Sequence, residues 1–354
     1  MLTVPIVTTW DKACGIAEHA HYLVEAIQAA DRSIRMRPET NLHPNAFVID
    51  PVPPVLILNY QAGLLSQWSP DAIRDYRRRG GKVISVYHDS GVPSTDQCKA
   101  VVDASDVTIL HEPTNDLPLE KIRYWRMGVP AACLNPYHFD ARDNWLGGDG
   151  KPDLFFKSYR NQPVVGSIGF PYPWKCFDQL VETAASVGWG VMLIAPHATD
   201  AQVTAWKAMC PDIYVRTDFV PQDIALKLLS ACDATAFTYV CHNAGQSGAI
   251  LQGIATRKPV IAFRTCRQFR SLFHAVHWGG EWRHGGDQPF REVEWNPMDR
   301  SHAIRWVATF EEVGMVLQNL QLGRCDARIV GLAERESWKH VGQKYAALIR
   351  ELAS

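Results

Sequence analysis

The chain has 354 residues, 47% of them hydrophobic and 21% charged, and a formal net charge of -1. That length exceeds what a single core usually serves, so two domains are expected, and the composition excludes a disordered or fibrous chain. The near-neutral balance provides no overall field for nucleic acid or an acidic lipid surface, which leaves only local basic clusters to weigh.

Nine scattered cysteines form no Cys-x-x-Cys pair, which argues against a structural zinc site or a disulfide framework and fits a reducing cytosol. The N-terminus enters a strand pattern without a basic leader, and no apolar run reaches eighteen residues, so a soluble cytoplasmic protein is expected.

In chain order, Leu2 to Val7 reads as a buried strand and Thr8 to Gly15 as a loop. From Ile16, apolar residues recur at Ala20, Leu23, Val24 and Ile27, the spacing of a helix with one buried face. Val55 to Leu58 and Val83 to Tyr87 are strand patterns separated by a charged helix, Pro70 to Arg79, and its Gly80-Gly81 stop. After Tyr87 come His88-Asp89-Ser90-Gly91, polar groups at a strand's carboxyl end, where open α/β sheets bind ligands. Val107 to Leu110 repeats the pattern and runs into His111-Glu112-Pro113.

Between Asn135 and Pro163 the periodicity gives way to Pro, Asp, Asn and Gly, which predicts a domain linker. Alternation then restarts. Strands are expected at Val164 to Ile168, Val191 to Ala195 and Ile213 to Val215; helices at Phe177 to Val187, Ala201 to Met209 and Gln222 to Ala231. Strands alternating with helices imply parallel sheets, so two similar α/β domains lie in tandem.

The stretch Thr238 to Phe263 closes an apolar strand, passes through small polar residues and two glycines, enters a helix and ends in a second strand. Such a unit aims backbone N–H groups and a helix dipole at whatever lies above the strand end, favouring an anion. Ser247 is expected to cap the helix, with Gly245 and Gly248 letting the backbone approach closely. The same pattern also serves as an ordinary βαβ turn with no ligand.

The segment His274 to Asn296 fits neither period and carries three tryptophans, three histidines and two Gly-Gly pairs. It reads as a mobile lid or acceptor loop, or as an insertion packed on its own domain. Its histidines lack carboxylates at a fixed helical spacing, a weak metal signal. Phe310 to Leu322 and Trp338 to Leu352 are amphipathic helices.

Five pieces in register then resemble the nucleotide-sugar-dependent glycosyltransferases of the GT-B fold, most of all the retaining family four. They are Cys14 to Ala20, the glycine-rich loop and first helix; Val86-Tyr-His-Asp89; Val165 to Phe177, with the family's Lys-Gly pair falling on Lys175-Cys176; the stretch around Gly245 to Ile261; and Glu336 to Tyr345, the closing helix. The resemblance implies an α/β architecture of two Rossmann-like domains facing a central cleft. Residues 1-150 are the acceptor side and 151-336 the nucleotide-sugar side, with 337-354 a helix returning to the first domain.

The implied donor is a UDP- or GDP-linked sugar, held by Gly15, Gly169, Lys175, Phe219, Val220, Gly245, Gln246, Ser247, Gly248 and Gln252. His88 and Lys175 carry the catalytic roles, while Asp11, Glu18 and His19 surround the acceptor hydroxyl. His88 is equally read as a histidine satisfied by neighbouring backbone, and Glu18 and His19 as a solvated helix face.

The resemblance also implies retention of configuration and no cofactor or catalytic metal. No Asp-x-Asp pair is present to hold one. The family's Glu-x7-Glu pair falls on Ala244 and Gln252, neither acidic, and Ser167 stands where an arginine is common. Two other readings follow: a degenerate protein that only binds a nucleotide sugar, and a transferase acting on DNA or another polymer. The second would use Arg77-Arg78-Arg79, Lys82, Arg264, Arg267 and Arg270 as phosphate contacts, clusters that also read as solvated helix faces.

Overall fold

The computed structural model describes residues 1–10, 15–40, 43–44, 52–61, 64–88, 96–111, 121–131, 162–240, 247–266, 269, 272, 303–320 and 327–354. Among them two compact units separate, one drawing on Met1–Gly128 and Glu336–Ser354, the other on Val129–His242 and Ser247–Arg335. Most of the expected linker, 135–163, and the whole of the 274–296 segment lie outside the described residues.

The first unit holds strands β1 (Leu2–Val7), β2 (Ile34–Glu39), β3 (Val55–Tyr60), β4 (Lys82–Tyr87), β5 (Val107–Leu110) and β6 (Ile122–Tyr124). They form one parallel sheet in the order β2-β1-β3-β4-β5-β6. β3 is buried at every position, as a strand covered on both faces must be. β2 lies at the sheet edge with alternating exposure, which is why Pro38 is tolerated in it and why its polar pattern gave no strand signal.

Helix α1 (Gly15–Ala30) buries the stripe Ala17, Ala20, Leu23 and Ile27. Helix α2 (Pro70–Arg78) starts where Ser69 accepts from the Ala72 N–H at 3.3 Å with Pro70 in its first turn. Helix α3 (Asp96–Ala104) has no counterpart in the sequence reading.

The second unit holds β7 (Val164–Ile168), β8 (Gly190–Ile194), β9 (Ile213–Arg216), β10 (Ala234–Phe237), β11 (Val260–Phe263) and β12 (Ile304–Val307). Their order, β12-β11-β10-β7-β8-β9, is a parallel doubly wound sheet whose direction of winding reverses between β7 and β10. Around it stand α4 (Phe177–Ser186), α5 (Asp200–Met209), α6 (Gln222–Ser230), α7 (Gly248–Ala255), α8 (Phe310–Gln318) and α9 (Ala327–Arg335).

The closing helix, α10 (Trp338–Ala353), packs on α1 in the first unit, where Val341, Tyr345, Leu348 and Ile349 join the core formed by β1, β3 and α1. The approach is close: a Cβ on Gly342 would sit 2.3 Å from the Ala26 carbonyl oxygen. Arg126 grips Glu336 just ahead of the helix through two charge-assisted bonds of 2.7 and 2.8 Å.

Candidate functional site

In the second unit the groups of interest gather at the carboxyl ends of β7 and β10, the switch point of the sheet. β7 passes into Gly169, whose φ of +147° suits glycine alone, and then into a proline-rich turn ending in a short 3-10 segment, Pro173–Lys175. Cys176, next in line, adopts the left-handed conformation at φ 55°, φ > 0 being the geometry for which glycine is favoured. That explains physically why the related pattern has a Lys-Gly pair there.

The turn buries Lys175 and lays its ammonium 3.4 Å from the centre of the Tyr239 ring and 4.7 Å from that of Trp174. Tyr239 is fixed in turn, donating to the Ile168 carbonyl at 2.8 Å, and burial raises its phenol well above the usual tyrosine range, so the ring stays neutral. The Val240 N–H donates to the Trp174 carbonyl at 2.8 Å, tying the end of β10 to the lysine turn. A Cβ at Gly169 would stand 3.1 Å from the lysine nitrogen, so the missing side chain leaves the ammonium room.

Helix α7 starts beside this turn. Ser247 occupies its N-cap position, yet its hydroxyl makes no capping bond, which corrects the expected cap. Gly248 has open space where a Cβ would be. Gln252 is buried, and its Oε1 has no hydrogen-bond partner among the described residues, an acceptor waiting for a donor. Arg264, immediately beyond β11, has a buried Nε in the same condition. Ser167 stays within the sheet, donating to the Ala236 carbonyl at 2.7 Å.

Phe219 keeps 39% of its surface exposed and stacks on Phe170, with ring centres 6.4 Å apart, while Val220 is buried in the core. Phe170 stacks in turn on His197. Gly245 and Gln246, and with them Ala244, lie outside the described residues.

In the first unit the strand ends collect histidines. His88 follows β4, His111 follows β5 and His19 lies in the first turns of α1; their ring centres are 4.6 to 5.2 Å apart. Burial holds His19 and His88 well below the ordinary histidine range and pushes His111 down to about 4, so all three are neutral at pH 7. His88 is satisfied by a side chain, its Nε2 lying 2.6 Å from Asn59 Oδ1, and His19 is buried, which corrects the backbone-satisfied and solvated-face alternatives for these two.

Glu18, beside His19, is pushed up to about 7 by burial. Gly15 is exposed at the start of α1, and Asp11 lies outside the described residues. Sequence reading noted His111 only as a strand-end residue and passed over Asn59 altogether; the polar interruption of the apolar run Val55–Tyr60 was its one signal.

Most of the basic cluster around α2 is paired within the first unit. Arg77 and Lys82 both pair with Asp106, and Arg78 pairs with Asp75. Arg267 and Arg270 lie outside the described residues.

With this geometry in place, comparison with solved structures gives matches along the entire chain. HepE from Anabaena, in a complex with UDP and glucose, superposes with a TM-score of 0.62 at 11% identity, covering 99% of this chain and 100% of its own. AviGT4, a glycosyltransferase involved in avilamycin A biosynthesis, gives 0.56 at 12% identity over 100% and 98%. WaaG, a glycosyltransferase involved in lipopolysaccharide biosynthesis, gives 0.52 at 11% over 98% and 95%. The chain has the GT-B fold. At these identities the likeness establishes the fold alone, and no protein-family model or curated protein sequence matches the chain. The GT-B expectation formed from five short motifs is thereby met, while the family-four assignment within it rests on those motifs only.

Proposed function

We propose that this GT-B protein is a glycosyltransferase that moves a sugar from a nucleotide diphosphate sugar, UDP- or GDP-linked, onto an acceptor hydroxyl with retention of configuration. The observation that carries the reading is the buried Lys175 ammonium, held over the Tyr239 and Trp174 rings where β7 and β10 end.

Cleaving the bond between sugar and diphosphate leaves negative charge on the phosphates, and a cation already in place in a desolvated site lowers that barrier without reorganisation. Lys175 supplies this charge, with Arg264 as a second cation and the N-terminus of α7 as a set of backbone donors. The carboxamide of Gln252 takes the place of a carboxylate at the ribose hydroxyls, its Oε1 accepting where none of the described residues donates. The exposed face of Phe219 suits a stacked base, with the main chain near Val220 reading its edge.

In the first unit, His88 is offered to the donor sugar through Nδ1, since Nε2 is engaged with Asn59. Glu18 and His19, with Asp11, serve the acceptor. A carboxylate titrating near neutrality suits proton exchange with a hydroxyl, because transfer is most efficient when the group's pKa lies close to the working pH. No observation favours the polymer reading, because Arg77, Arg78 and Lys82 have carboxylate partners of their own.

The test is a melting screen of the full-length protein against UDP, GDP and their common sugar conjugates, followed by hydrolysis of any conjugate that raises Tm. A native-state ligand is expected to raise Tm with concentration, and the same conjugate should be cleaved slowly without acceptor. Binding without cleavage, under any acceptor supplied, would reduce the protein to a nucleotide-sugar binder; no binding at all would reject the reading.

A further inference from the structure

Asn59 settles the chemistry of the histidine cluster. Its Nδ2 lies 2.9 Å from the Ile16 carbonyl oxygen, which can only accept, and 3.1 Å from Thr8 Oγ1, so the amide orientation is fixed. Its Oδ1 must therefore accept, and His88 Nε2 carries the proton at 2.6 Å. In the neutral ring the lone pair is then on Nδ1. His111 is oriented in the same manner: Nδ1 donates to the Trp125 carbonyl at 2.8 Å, and the lone pair falls on Nε2, which is buried without a partner among the described residues. His19 stands between them with both ring nitrogens buried and without a hydrogen-bond partner among the described residues.

Three ring nitrogens, one from each histidine, lie within 4.8 Å of one another. Leaving buried acceptors unpartnered costs about 1–3 kcal/mol apiece, so convergence of this kind calls for an electrophile. A tetrahedral zinc ion with Zn–N bonds of about 2.0–2.1 Å needs nitrogens about 3.4 Å apart, which side-chain rotation of little more than about 1 Å achieves from this starting point.

The geometry points to a site for one divalent transition-metal ion of the zinc class, bound by His19, His88 and His111. Imidazole ligands select zinc, copper, nickel or cobalt over magnesium and calcium, and among the described residues no carboxylate joins the three histidines to weaken that preference. Asn59 and the Trp125 carbonyl act as the outer shell that metal-bound histidines use to fix their tautomers. Among the described residues three ligands converge, which leaves a fourth position for water or an oxygen of a substrate. The Trp338 ring packs edge-on against His19, with centres 5.1 Å apart, and shields that side of the cluster. An ion here engages the His88 nitrogen that the transferase reading offers to the sugar, so the two would compete for it.

The experiment uses full-length protein stripped with a chelator and dialysed, titrated with zinc by calorimetry and with cobalt(II) by visible absorption, and reads binding alone, independently of sugar transfer. One ion per chain is expected, with the ligand-field bands of a four- or five-coordinate nitrogen site and no heat from magnesium. His19→Gln, His88→Gln and His111→Gln should each weaken binding by about a hundredfold or more, Asn59→Ala by about 10–100-fold as an outer-shell change, and His340→Gln not at all. Circular dichroism and melting of each variant separate loss of ligand from loss of fold. Absence of a one-to-one site in the wild-type protein overturns the inference whatever the variants do. So does binding that survives all three histidine replacements but disappears in His274→Gln/His277→Gln/His284→Gln.

Discussion

At the carboxyl end of the first sheet three uncharged imidazoles converge around Asn59, whereas at the same end of the second sheet a single buried ammonium lies against two aromatic rings. Both places are built from strand ends beside the point where a parallel sheet reverses its winding, so the architecture fixes where chemistry can occur and leaves its kind to a few side chains. The first place offers lone pairs, which suit hydroxyls and metal ions; the second offers positive charge and N–H groups, which suit phosphate. Burial penalises charge at both, but the neighbours differ. It suppresses the charge of the histidines, while the lysine is accommodated by ring faces that favour a cation, a contact worth about 2 kcal/mol when desolvated.

The contrast breaks most sharply at Lys175. Lys175→Ala and Lys175→Met are both expected to lower turnover at saturating donor by roughly a hundredfold, the scale for losing one transition-state stabiliser, because each removes the charge and only the first also removes the stem. Near-normal turnover in both, with melting unchanged, would move the leaving-group charge to Arg264 and strip the second site of its defining feature. Next comes Gly169→Ala. Its positive φ and the lysine nitrogen 3.1 Å from a Cβ together should cost about 1–3 kcal/mol in denaturant unfolding and weaken donor binding with it; wild-type stability would show that the Gly169 turn is not the cradle described.

A titration sharpens the first site. The histidines of the unfolded chain take up protons below about 6.5 while folded His111 does so only near 4, so they oppose folding as pH falls through that window. Glu18 acts in the other direction: its folded carboxyl protonates near 7 and its unfolded one near 4.5, so it favours folding as pH falls across that range. Glu18→Gln removes the compensation. The variant should therefore be more stable than wild type at pH 8, by about 1–2 kcal/mol once partial exposure is allowed for, and should lose stability faster between pH 7 and 5. Parallel stability curves for the two proteins would deny Glu18 its elevated pKa.

The smallest expected effect is at Cys176, where Cys176→Gly should relieve a left-handed backbone and raise stability by about 1 kcal/mol, measurable as a shift in Tm. A loss of stability instead would mean that the thiol contributes packing that outweighs the strain.

Much of the fold was legible because its signals are local. Buried parallel strands read as apolar runs and their helices as amphipathic stretches, so β1, β5 and β7 fall on the expected residues, and α2, α4 and α6 end within a residue of expectation. The strands that escaped are those whose burial depends on neighbours: β2 with its polar edge alternation, the three-residue β6, and β12 beyond the Trp- and His-rich segment. Lys175 stood out because its proline-rich turn and the strand before it are contiguous in sequence. Its rings were only half visible, Trp174 being adjacent and Tyr239 arriving from β10.

The sequence by itself determined two runs of strand-helix alternation, the turn that carries Lys175 and the glycine-serine entry into α7, since each depends on residues within one or two turns of chain. Only the tertiary structure decided that His19, Asn59, His88 and His111 share one place. They come from four separate elements, and nothing in their spacing encodes the meeting; it follows from the sheet order β1-β3-β4-β5, which sets successive parallel strand ends side by side. The protonation of those groups was decided there too, because a histidine's charge is set by what surrounds it in space, and burial among neutral neighbours outweighs anything its sequence neighbours supply.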